Sequence, residues 1–133
     1  QRYNGKQIKE KLGISIPKLI YKPAGMEYVS YELDANLQNA TMKYLTTDEK
    51  YYYMYISKKA IDSQEVIEID GKVINQHLLS VTYLEKGVKV EQMEEDSGRS
   101  LYKADFYCND VYYLFFGELE KEEFDEIIEK IMF

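Results

Sequence analysis

Tyr51, Tyr53 and Tyr55 recur at every second position of an apolar run that extends from Tyr51 to Ile56. On an extended strand this spacing sends the three phenol rings to one face and Tyr52, Met54 and Ile56 to the other. A row of exposed rings can stack on sugar faces or hold an apolar ligand, so Tyr51, Tyr53 and Tyr55 are the candidate ligand-binding residues. Tyrosine is also a strong strand former that tolerates half burial, and that plainer reading needs no ligand. With 14 tyrosines in 133 residues, ring-on-ring packing competes with ligand stacking wherever these rings fall.

The other reactive side chains are few. His77 is the single histidine and has no candidate partner in the sequence, so it reads as a structural or surface residue rather than a general base. Cys108 reads as a small buried hydrophobe, with a reactive thiol as the alternative. One cysteine and one histidine make neither an internal disulfide nor a Cys/His zinc site. Glu91, Glu94, Glu95 and Asp96 offer the hard oxygens that calcium prefers, yet they lack the spacing and glycine of a calcium loop and read as a solvated turn. Glu118, Glu120, Glu122 and Glu123 sit where a helix begins, and its dipole accounts for them. Asn39-Ala40-Thr41 matches the glycosylation sequon, a short pattern of low specificity. The sequence has neither a glycine-rich phosphate loop nor a G-x-S-x-G elbow. The expectation is a protein that is not an enzyme and needs no cofactor and no metal.

Charge divides the chain. The net charge is −7, but residues 1–60 carry a balance of +4 and residues 61–133 a balance of −11. The acidic half repels phosphate backbones, which argues against nucleic acid as a partner. The basic portion, with Lys6, Lys9, Lys11, Lys18 and Lys22, reads as a solvated face, with proximity to an anionic surface as the alternative. No apolar run approaches the roughly 20 residues that span a bilayer. The chain starts at Gln1 rather than methionine, so it reads as a fragment whose targeting segment, if one exists, lies outside it.

The elements that must position these side chains follow from periodicity. Ile8 and Leu12, one turn apart and followed by Gly13, predict a short N-terminal helix. Pro17 and Pro23 enforce extension, and Pro23-Ala24-Gly25 predicts a turn. Val29, Tyr31 and Leu33 then alternate with Glu32 and Asp34 along a strand, and Asp34-Ala35-Asn36 turns the chain. Strands over 41–45 and 51–56 flank a polar turn at Thr46 to Glu49. After a connection over 58–64, Val66 to Ile69 and Val73-Ile74 flank Asp70-Gly71, the strongest hairpin dipeptide in the sequence. Further strands are predicted at 79–83, 88–90, 101–108 and 111–116, with turns at Glu85-Lys86-Gly87, Asp96-Ser97-Gly98 and Asn109-Asp110. Phe124, Ile127, Ile128 and Ile131 recur at i, i+3, i+4 and i+7 as the stripe of a terminal helix.

The fold class is therefore α+β: an antiparallel, curved sheet of six to eight strands, with a C-terminal amphipathic helix on one face and a short N-terminal helix. One domain spans 1–133, with a helical lead-in over 1–16, a β-rich body over 17–117 and the helix over 118–133.

The segment Asp105-Phe106-Tyr107-Cys108-Asn109-Asp110-Val111-Tyr112-Tyr113-Leu114-Phe115-Phe116-Gly117-Glu118-Leu119, running on to Glu122-Glu123-Phe124, resembles the closing motif of an uncharacterised domain-of-unknown-function family. Its members form the C-terminal extracytoplasmic part of membrane-anchored proteins in Gram-positive bacteria, often assigned as anti-sigma factors. Pro23-Ala24-Gly25-Met26 fills the place of the family's proline-glycine turn, so the likeness spans 17–133. Phe106-Tyr107 stand where the family commonly has tryptophan, and Glu120 where it has a serine or threonine cap. A large ring still packs there, and a carboxylate still caps. The family has no established catalytic residues to carry over.

The resemblance implies a non-catalytic sensory or protein-interaction module, extracytoplasmic and tethered to the cell membrane. Its partner would be an unidentified protein or envelope ligand, with membrane contact only through the missing N-terminal segment. Two alternatives stand beside it. A carrier or receptor for an apolar ligand predicts a cavity between the sheet and the helix bearing Phe124, Ile127 and Ile131. A carbohydrate-binding module needs at least two coplanar exposed rings among the tyrosines.

Overall fold

The structure, a computed structural model, describes residues 5–13, 16–23, 25–34, 38–58, 71–84 and 87–132. These contain helices α1 (Gly5–Leu12) and α2 (Lys121–Glu129). The strands are β1 (Lys18–Leu19), β2 (Glu27–Asp34), β3 (Asn39–Leu45), β4 (Tyr51–Ser57), β5 (Lys72–Leu79), β6 (Val88–Glu94), β7 (Ser100–Cys108), β8 (Val111–Gly117) and β9 (Ile131–Met132). Seven of them make one antiparallel sheet in the order β2-β3-β4-β8-β7-β6-β5, and β1 pairs with β9 apart from it. The sheet is thus two meanders, β2 to β4 and β5 to β8, zipped together where β8 lies beside β4. This is the α+β architecture that the alternation and the terminal stripe predict.

Short-range chemistry sets the turns. Asn109 and Asp110 both take positive φ, 51° and 64°, so the β7–β8 hairpin closes on the two-residue turn whose twist matches its strands. Thr46 to Lys50 is closed by the Thr46 N–H on the Lys50 carbonyl at 3.0 Å and the Thr46 hydroxyl on Asp48 at 2.6 Å. Gly13, at φ 71°, ends α1 by donating to the Lys9 carbonyl at 2.7 Å. The Met26 N–H reaches the Pro23 carbonyl at 3.0 Å across the expected turn, although Ala24 itself lies outside the described residues. The expected turn at Ala35-Asn36, most of the connection over 58–64, the strand Val66 to Ile69 with its partner Asp70, and the turn at Glu85-Lys86 also lie outside them.

Three expectations about elements change. Val29 does not share a face with Tyr31 through a regular strand: the β2–β3 register shifts between Tyr28 and Ser30, a bulge that turns Tyr28 inward beside Tyr31, ring centroids 4.3 Å apart. Val73-Ile74 and Leu79 belong to one strand, β5, which continues through His77 against β6 with a register shift between Val73 and Asn75, while 80–84 is a connection from which Val81 drops into the core. The terminal helix is shorter than its stripe, because Ile131 opens β9 against Leu19 and is buried there instead. Pairing with β1 satisfies backbone groups that a frayed last turn would leave open.

The core lies between α2 and the inner face of the sheet. Phe124, Ile127 and Ile128 are fully buried against Tyr52, Met54 and Ile56 of β4 and Phe115 of β8, and Ile8 and Leu12 of α1 join the same cluster. Phe124 lies 5.8 Å from both Tyr52 on β4 and Tyr102 on β7, while the next residue, Asp125, touches β5. In the sheet order β4 and β5 are four steps apart, about 19 Å on a flat sheet, more than one helix covers. The sheet therefore curls around α2. Glu122 and Glu123 occupy the first turn of α2, the Glu123 carboxylate accepts the Glu120 N–H at 3.4 Å, and Lys130 pairs with Glu126 near the other end.

Among the described residues one buried side-chain group in this core is unsatisfied. The Tyr52 hydroxyl is buried without a hydrogen-bond partner, and an unpaired polar group in a dry interior costs about 1–3 kcal/mol. Tyr52→Phe keeps the ring against Phe115 and Phe124 while removing the hydroxyl. We expect it to raise stability by about 1 kcal/mol in urea unfolding. A loss of stability would show that the hydroxyl has a partner.

Candidate functional site

The three nominated tyrosines share the outer face of β4, yet they do not form an open row. Tyr55 is only 3% exposed and forms a small second core with Tyr112 and Leu114 of β8. Tyr53 stacks on Phe116 at 4.8 Å with planes 16° apart, so each ring covers a face of the other. Tyr51 is tilted 33° from Tyr53, and the Lys43 ammonium sits 4.4 Å from the Tyr51 centroid. Tyrosine on tyrosine, capped by lysine, is how this face meets water. The coplanar exposed pair that sugar stacking calls for is not formed by Tyr51, Tyr53 and Tyr55.

His77 has a partner that the sequence did not reveal. It points inward from β5, and its Nε2 lies 2.8 Å from one carboxylate oxygen of Asp125 and 3.0 Å from the other. Lys121, one turn earlier on α2, reaches the same carboxylate at 3.3 Å. Nearby, the Tyr83 hydroxyl donates to the Ile128 carbonyl. These contacts fasten the last strand of the curled sheet to the helix. Asp125 is buried, so removing the imidazole leaves its charge with Lys121 alone. We expect His77→Ala to lower stability by about 1–3 kcal/mol, with His77→Gln, which keeps an N–H donor, falling between. Equal stability of all three proteins in urea would remove the latch.

Two of the four carboxylates of 91–96, Glu91 and Glu95, face cations. Glu91 lies 3.9 Å from Lys89 and 4.0 Å from Lys103, and Glu95 pairs with Arg99, which also reaches Glu118 at 3.2 Å. Hydrogen bonding from Arg99 holds the Glu95 carboxyl below the usual carboxylate range. Cys108 is half-buried at the end of β7 and lines an open groove of about 900 Å³ with Tyr83, Phe106 and Tyr107. Among the described residues the charged side chains of that groove are one lysine and one carboxylate, Lys89 and Asp105.

The second groove is different in kind. About 680 Å³ in volume, it opens where α1 and the β1–β9 pair pass over β2 and β3. Its apolar lining comes from Ile16, Pro17, Leu19 and Ile20 with Met132 of β9, and from the rings of Tyr31 and Tyr44. Lys6 and Lys9, three residues apart on α1, also line it, as do Lys18 and Lys22. Among the described residues none of these four has an acidic partner, and no carboxylate lines the groove. Ile20 and Met132 are each 57% exposed at its mouth. Burial raises the Tyr31 and Tyr44 phenols above their ordinary pKa. The groove therefore presents neutral rings, aliphatic walls and four positive charges, in a size suited to a small ligand.

This is not the cavity expected of a carrier. The seat of α2 is filled, and Phe124, Ile127 and Ile128 line neither groove. The lysine-edged groove lies instead beside α1. Its one signal in the sequence is the run of lysines before residue 23 in an otherwise acidic chain.

A curled antiparallel sheet closed by a C-terminal helix, with a basic apolar groove at one side, defines a small α+β domain. The chain belongs to the family described as domain of unknown function DUF4367, whose sequence profile matches residues 16–131. No curated protein and no solved structure matches it. The matched span includes all of α2 and its seat, and most of the groove lining from Ile16 to Tyr44, while Lys6 and Lys9 of α1 and Met132 of β9 lie outside it.

Proposed function

We propose that the domain is a non-catalytic binding module, carried outside the cell on a membrane-tethered protein, and that it takes its ligand in the groove between α1, the β1–β9 pair and β2–β3. The observation that carries this reading is the groove itself: four lysines without acidic partners among the described residues, around an apolar lining. Charges left unpaired beside an apolar surface contribute little to folding, and they favour an anionic or amphipathic partner. The commitment of the other reactive groups supports a non-catalytic role, since His77, Asp125 and Lys121 hold β5 to α2 and Glu95 holds Arg99. Family membership and the likeness of the closing motif to extracytoplasmic domains support the tether, and with it a sensory or protein-interaction role in an anti-sigma-type protein. The partner is then an envelope ligand or protein rather than a nucleic acid.

A membrane-impermeant amine reagent tests both parts on cells that make the full-length protein. Lys89, well exposed and away from the groove, is expected to be labelled on intact cells. Lys6, Lys9, Lys18 and Lys22 are expected to react more slowly there than in the purified domain. Absence of Lys89 labelling until the cells are opened would overturn the location, and equal rates for the four lysines would overturn occupancy of the groove.

A further inference from the structure

We infer that the groove beside α1 binds a single-chain anionic amphiphile, its chain along the apolar floor and its carboxylate or phosphate head among the lysines. The inference rests on the binding-module reading above and names the class of ligand.

Shape and charge carry it together. A flat basic patch would suit a membrane surface, but this is a concavity of about 680 Å³ with depth enough to reach Tyr31 and Tyr44, both buried. A volume of that order encloses a ligand of modest size. Among the described residues the lysines are the charged groups that line it, so an inorganic anion would meet the lysines alone and leave the aliphatic walls wet. A purely apolar ligand would cover the apolar lining and give the four ammonium groups no counter-charge. A molecule with one anionic end and one oily end answers both. Lys6 and Lys9 come from α1 and Lys18 and Lys22 from β1 and the segment after it, so two separate elements supply positive charge for a head group. Ile20 and Met132, exposed at the mouth, gain apolar cover only when the groove is filled. The net charge of −7 is spread mainly over residues 61–133, so these lysines are the part of the molecule that attracts an anion.

Calorimetric titration of the purified domain with monomeric dodecanoate, dodecyl phosphate and the uncharged dodecyl maltoside tests the class. Saturation by one equivalent is expected for the anionic amphiphiles, with the maltoside weaker by about tenfold or more. Dodecanoate and dodecyl phosphate also separate a fatty-acid head from a phosphate head. The double variant Lys6→Glu, Lys18→Glu is expected to lose about tenfold or more in affinity while its melting temperature stays unchanged, because neither side chain packs in the core. Equal affinity for dodecanoate and the maltoside would overturn the inference, as would binding to anionic vesicles that dodecanoate does not displace. A glutamate-rich peptide is the separating probe. If the peptide binds and the Lys6/Lys18 variant abolishes that binding while no amphiphile binds, the ligand class is wrong and the groove remains a binding site. If none of these probes binds, both readings fall.

Discussion

Raising the pH from about 8 to about 12 should unfold the domain cooperatively, with tyrosinate absorbance appearing in the same transition that removes the far-ultraviolet strand signal. Burial raises the phenols of Tyr31, Tyr44, Tyr52, Tyr112 and Tyr113, and for Tyr113 the pKa is pushed up to about 12. In the unfolded chain the same groups titrate near 10.0. Below that value both states hold the proton, and the stabilisation from neutral buried rings is fully present. Above it the unfolded state releases protons that the folded state keeps, so stability falls as pH rises towards the folded values. Each such tyrosine contributes up to about 1.4 kcal/mol per pH unit. Five acting together cancel a typical stability of about 5–15 kcal/mol within one to three pH units. The gradual appearance of tyrosinate near pH 10 with strand structure retained would show these rings to be accessible, and the packing described for β4 and β8 would be wrong.

Replacing Phe124 with alanine should cost about 3–5 kcal/mol in urea unfolding. Phe124 is fully buried where the concave sheet meets α2, with Tyr52 on one side and Tyr102 on the other. Truncation removes the burial of one large ring and leaves a void. The void closes poorly, because the surrounding rings are held from behind: Tyr52 stacks on Phe115, and Phe106 on Phe115 and Tyr113. A charge change in the groove, such as Lys18→Glu, reaches none of these rings and should leave stability within about 0.5 kcal/mol. The contrast separates the part of the molecule that holds the fold from the part free to bind. A cost below about 1 kcal/mol for Phe124→Ala would mean that α2 is only loosely seated.

What the sequence disclosed follows the range of the interactions. Hairpins at Asn109-Asp110 and at 46–49, the glycine stop of α1 and the stripe Phe124, Ile127, Ile128 depend on neighbours a few residues away, and each is found. Period two along β4 correctly sorts Tyr51, Tyr53 and Tyr55 to one face, but it carries no information about what covers that face. Tyr55 is buried because β8, more than fifty residues later, brings Leu114 beside it and Tyr112 near it. His77 and Asp125 stand 48 residues apart, so their pairing appears only once the sheet has curled. The bulge at Val29 shifts parity by one residue with no glycine or proline to announce it. The groove is the least legible feature: α1, β1, β2, β3 and β9 each supply part of it, and the basic N-terminal stretch was its only trace.

The central claim is that ligand enters beside α1 and leaves the filled seat of α2 untouched. Amide-resolved nuclear magnetic resonance of the domain titrated with dodecanoate places the ligand directly. The account predicts shift changes concentrated at 16–22, Tyr31, Tyr44 and Met132, with Phe124, Ile127 and Ile128 unmoved. Changes centred on α2 and the strands beneath it, with 16–22 silent, would contradict it.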